Sequence, residues 1–170
     1  DGLCQPMTLM FEVTGVKDYT QNSGEQLYDE LVAAIGQHQL PIKLPIARVG
    51  YAPWVIHFPR PDTADVEATH VYGVSALDKR QLTQAMVAGR RQAHELIQVM
   101  RHVPGLENVR LTQTAAGIGV RECRRIEGHY TLTLEDLQAG RDWPDAITFC
   151  AFCIDIHNVK SPEDGGSALQ

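Results

Sequence analysis

The feature that most constrains the fold is a helical pattern over residues 76–102. Leu82, Met86, Ala93, Leu96, Ile97 and Met100 recur at the spacing that lines up side chains on one face of an α-helix. Ser75 with Asp78 makes a capping pattern before it, and Pro104 and Gly105 stop it. Such a helix is about 40 Å long at about 1.5 Å per residue. A helix of that length buries its stripe only by lying across a sheet or another domain.

Candidate sheet segments lie on both sides of it. Residues 5–16, QPMTLMFEVTGV, alternate Met7, Leu9, Phe11 and Val13 with polar or smaller partners, the period of a half-buried strand. Asn22 and Ser23 open a shorter helix over 24–37. Ser23 and Gln26 fit a capping box, and Leu27, Leu31, Ala34 and Ile35 form its stripe. Residues 54–58 and 66–74 read as a hairpin across Pro59, Pro61 and Asp62. Further strands are expected at 109–116, 128–132 and 146–157, and Thr133 with Asp136 caps a short helix ended by Gly140. Strands and helices do not alternate regularly. The expectation is α+β, a largely antiparallel sheet with one long and one shorter helix packed on it. Residues 1–158 are expected to form the domain with its flanking segment, and 159–170 a tail or linker.

Composition narrows the function classes. A chain of 170 residues with 44% apolar and 21% charged residues builds a core without needing disulfides or metal. Its net charge of −6 lacks the basic footprint of a nucleic-acid binder. No apolar run approaches the roughly 18 residues of a membrane span. Eleven of the fifteen basic residues are arginine, which suits bidentate recognition of carboxylates and phosphates but also follows from composition alone. Asp1 stands where a start methionine would, and no charged segment with an apolar run follows it. The chain is therefore expected to be cut from a longer one, which leaves its localisation unread.

Three clusters hold potential chemistry. Cys150-x-x-Cys153 lies in the strand-like run 146–157, where sulfurs three apart point to opposite faces. The pair reads as ordinary buried cysteine rather than a redox dithiol. In the same run Asp155 and His157 share a face. The imidazole could exchange a proton near neutral pH while the carboxylate holds its tautomer, or the two could be a surface pair at a strand end. Arg121, Arg124 and Arg125 follow Gly117 and Gly119. They could clamp an anion or pair with Glu122, Glu127, Glu135 and Asp136. Gly117-Ile-Gly119 is not a dinucleotide fingerprint, because the third glycine is missing. His38, His57, His70, His94 and His102 read as structural.

The stretch GIGVRECRRIEGHYTLTLEDLQAGRDWPDAI over 117–147, continued by IDIHN at 154–158, resembles the FAD-dependent oxidoreductase family that includes the heterodisulfide-reductase-A-like flavoproteins. QPMTLMFEVTGV and GRRQAHELIQVMRHVPGLENV are similar to the same family. The resemblance implies that residues 1–158 are an inserted substrate or cap domain with flanking sequence. FAD would then come from the FAD-binding domain of the same parent chain, and a small anionic or polar molecule would be the substrate. It also implies roles: His157, Asp155 and Arg124 as catalytic residues, and Arg121, Arg125 and Cys123 on the cofactor side. No metal, nucleic acid or membrane is expected, and the isolated chain is expected to hold little FAD and to show no turnover. The alternative is a non-enzymatic binding or assembly module that uses the sheet face and the long helix.

Overall fold

A computed structural model describes residues 4–46, 48, 55–57, 60–150, 154–162 and 167–169. Among them the chain runs β1 (Phe11–Thr14), α1 (Gly24–His38), β2 (Val55–His57), β3 (Thr63–Val66), α2 (Lys79–Met100), β4 (Arg110–Thr114), α3 (Leu134–Gln138), β5 (Ile154–Ile156) and β6 (Ser167–Leu169). The first four strands form one antiparallel sheet in the order β2-β3-β1-β4. Its β-α-β-β-α-β element order is that of a split β-α-β, or ferredoxin-like, layout. The fold is α+β. β5 and β6 pair separately as a two-stranded antiparallel ribbon.

The alternation in the first strand sets the layers. Met7, Leu9, Phe11 and Val13 are all buried. Phe11 pairs with Val66 and Val13 with Ala64, so these four share the face that carries the core. Leu27, Leu31 and Ala34 of α1, and Ala93, Leu96, Ile97 and Met100 of α2, pack on that face. Glu12 lies opposite Asp65 and Gln113 on the other face. There Arg60 bridges to Glu12 at 2.9 Å. Burial, then the neighbouring Glu12, raises the Asp65 carboxyl above its ordinary value.

Both long helices start as the sequence requires. The Ser23 hydroxyl accepts from the Gln26 amide, and Asp78 accepts from the amides of Arg80 and Gln81. The cap of α2 is thus Asp78 rather than Ser75. Gly89 lies in the middle of α2, where glycine costs about 1 kcal/mol relative to alanine. A Cβ there would come within 2.8 Å of Leu9 Cβ, so the missing side chain lets the helix sit directly on the first strand. Thr133 and Asp136 form the expected capping box of α3, with Gly140 at φ +56° after it. No helix among the described residues is long and apolar enough to cross a membrane.

Three expected strands come out differently. Residues 128–132 form no strand, and Tyr130 and Leu132 are exposed. The hairpin is present, but its second strand is β3 at Thr63–Val66, and the chain leaves the ladder before His70. Among the described residues of the run 146–157, 146–150 are irregular and Ile154–Ile156 is strand. Cys150 is accordingly exposed with a free thiol rather than buried, and Cys153 lies outside the described residues.

Candidate functional site

The run 5–9 continues the first strand beyond the sheet and gathers three distant segments. On one side Met7 and Val71 exchange backbone hydrogen bonds of 3.0 and 2.9 Å. Two residues along, the Thr69 hydroxyl accepts from the Leu9 amide at 2.7 Å and donates to the Leu9 carbonyl at 2.8 Å. This side chain stands in for a strand partner that the chain does not supply there. On the other side Thr8 and Gly119 exchange bonds of 3.1 and 2.7 Å. A second apolar cluster of Met7, Val71 and Ala85, joined by Leu82 and Ile118, supports this platform from the start of α2.

Arg121 and His157 both reach this run. The Arg121 guanidinium donates through Nε to the Pro6 carbonyl at 3.1 Å and through Nη2 to the Thr8 hydroxyl at 3.0 Å. Glu67 stands 3.7 Å from it. Gln5 donates its backbone N–H to Glu122 at 2.7 Å, and its side-chain Oε1 accepts from the His157 backbone N–H at 2.8 Å. The His157 ring meets the buried His70 ring edge to face, with centroids 4.9 Å apart. Tyr72 is T-shaped to His70 at 6.1 Å, and burial pushes its phenol up while Arg121 opposes that rise. The Gln92 amide side chain fixes the His70 carbonyl at 2.8 Å.

The remaining candidates sit at the edge of this cluster. Arg125 is paired with Glu122 at 3.0 Å. Arg124 and Cys123 are exposed, the Cys123 thiol is free, and Arg124 makes no hydrogen bond or ion pair among the described residues. The Asp155 backbone pairs with Ala168 in the ribbon, and its side chain lies outside the described residues. The structure therefore brings Arg121 and His157 to one platform and leaves Arg124 facing solvent beside it. Spacing missed Gln5 and His70, because nothing local marks the residue on which a distant segment will close. Among the described residues no group of three His, Cys, Asp or Glu side chains could hold a metal ion.

Beyond Glu122 the chain as far as residue 149 is largely exposed, an arm with its own internal lock. Asp136, buried, accepts from the Tyr130 hydroxyl at 2.6 Å, from Thr133, and from Arg141 at 2.9 Å. Arg141 in turn lies 4.4 Å from the centre of the Trp143 ring. The Asp136 carboxyl is held well below the usual carboxylate range, first by Tyr130, then by the Thr133 backbone and Arg141. Around this lock the apolar side chains point outward. Ile126 is 94% exposed, Ile147 99% and Phe149 88%, far from the pattern of a packed surface.

The family model for FAD dependent oxidoreductases matches residues 1–169. The chain belongs to the FAD dependent oxidoreductase family. FAD is therefore the cofactor of the parent flavoprotein. Neither a curated protein nor a solved structure matches this oxidoreductase chain. Among the described residues none forms a dinucleotide cradle. The sequence has no G-x-G-x-x-G, and Gly119 is bridged to Thr8 and followed by irregular chain rather than by a helix N-terminus.

Proposed function

We propose that this chain is the substrate-side part of an FAD-dependent oxidoreductase, set against flavin that the FAD-binding domain of the same parent supplies. The observation that carries this reading is the mismatch within the chain. It belongs to an FAD family across nearly its whole length, yet its described residues form no cradle for the cofactor and turn apolar side chains outward along 120–149. In this reading Arg124, not engaged by any described neighbour, binds an anionic or polar substrate. His157 gives or takes a proton at an imidazole nitrogen, and Asp155 orients it. Arg121, Arg125 and Cys123 form the side nearest the cofactor. Arg121 carries a framework role as well, since its bonds to Pro6 and Thr8 fix the segment that presents Arg124.

Flavin retention tests this reading. The 170-residue chain, incubated with excess FAD and desalted, is expected to keep no stoichiometric flavin absorbance. A yellow chain with one flavin per molecule would overturn it. The exposed arm also suits a non-enzymatic assembly module. That alternative gains if the parent sequence proves to contain no G-x-G-x-x-G strand–turn–helix.

A further inference from the structure

We infer that Gln5 is the positioning residue of the candidate site: its main chain holds the arginine segment while its side chain holds His157. Resting on the functional reading above, this assigns a role to a residue that neither spacing nor family membership marks. The geometry is direct. The Gln5 backbone N–H donates to Glu122 Oε2 at 2.7 Å, and the other oxygen of that carboxylate pairs with Arg125. Gln5 Oε1 accepts from the His157 backbone N–H at 2.8 Å. One residue thus spans two segments that are remote in sequence, immediately before Pro6 and Thr8 receive Arg121.

The bond to His157 matters because of where His157 sits. It follows β5, in a stretch of irregular backbone, and its amide is held by the side chain of Gln5, more than 150 residues earlier in the chain. An imidazole that moves protons must be held in one orientation by neighbours that are themselves fixed. Gln5 fixes the main chain of His157, and the edge-to-face His70 ring bounds its side chain. His70 is rigid in turn, held through its carbonyl by Gln92 and flanked by Thr69 and the Val71 bridge. Loss of the Gln5 oxygen removes this acceptor from the His157 amide and loosens the hold on the ring that meets His70.

Backbone and ring NMR signals of His157 in the 170-residue chain read this directly. In Gln5→Met, which keeps length and removes the acceptor, the His157 amide should move upfield and exchange with solvent about fivefold faster, the factor that a hydrogen bond of about 1 kcal/mol protects. The His157 ring signals should lose the ring-current shift from His70. Gln5→Glu restores an acceptor oxygen and should rescue both signals, whereas a residue that only fills space would not be rescued selectively. If Gln5→Met fails to fold, Gln5→Asn, which withdraws the acceptor by one methylene, should give the same loss. Unchanged His157 signals in the folded Met or Asn variant would overturn the inference, as would equal loss in Gln5→Glu. These signals need no flavin. A chain that retains flavin but shows the expected NMR response would therefore remove the functional reading and leave the positioning role standing.

Discussion

Thr69→Val tests whether a side chain completes the first strand. The Thr69 hydroxyl is fully buried and makes both bonds that a partner strand would make to Leu9, one to its N–H at 2.7 Å and one to its carbonyl at 2.8 Å. Valine fills nearly the same volume, so no cavity opens, but the Leu9 N–H and C=O are left buried and unpaired. Each such orphan costs about 1–3 kcal/mol, giving about 2–6 kcal/mol together. For a domain of this size a loss of 1 kcal/mol lowers Tm by about 2–4 °C, so a fall of roughly 4–24 °C is expected. Thr69→Ser keeps the hydroxyl, loses one methyl and should cost about 1 kcal/mol. Urea unfolding followed by far-UV circular dichroism, with m held constant, measures both variants. Thr69→Val within about 0.5 kcal/mol of the parent chain would refute the reasoning, because the platform would then not depend on that hydroxyl.

Two further predictions concern the sheet turn and the arm. Gly15 sits at φ +80°, and a Cβ there would stand on the Asn108 carbonyl, so Gly15→Ala should cost about 2–5 kcal/mol from left-handed strain and overpacking, measured by the same unfolding assay. The Asp136 lock contributes stability above the ordinary carboxylate range and loses it as pH falls from about 4 toward the depressed folded value. Trp143 fluorescence in a Trp54→Phe background should therefore change reversibly on acidification before the core unfolds, and Asp136→Asn should show the acid-state signal at neutral pH. A Trp143 signal that tracks only global unfolding would show that the arm has no lock of its own.

What the sequence made legible follows from locality. The alternation from Met7 to Val13 marks the buried face correctly, because burial on one side of a strand repeats every second residue. The stripe of α2 and the caps Ser23 and Thr133 are local in the same sense. The β2-β3-β1-β4 order was hidden because β2 spans only three residues and β3 begins at Thr63, inside the expected turn. The arm misled for a physical reason. Ile147 and Phe149 are spaced as in a strand, yet their side chains stand in solvent, so an outward apolar face imitates the period of an inward core face. The site was only half legible. Arg121 and His157 were named from their surroundings, but their meeting on Gln5–Thr8 depends on pairings such as Thr8 with Gly119 that no spacing encodes.

The most direct test of the central claim is reconstitution with the FAD-loaded FAD-binding domain of the parent. Mixing the two should form a complex, protect the backbone amides around Ile126, Ile147 and Phe149 from hydrogen exchange, and shift the flavin absorbance spectrum. Arg124→Met should weaken the spectral shift while leaving association intact. Association without any change at the flavin, or no association at all, would contradict the claim that this chain faces the cofactor.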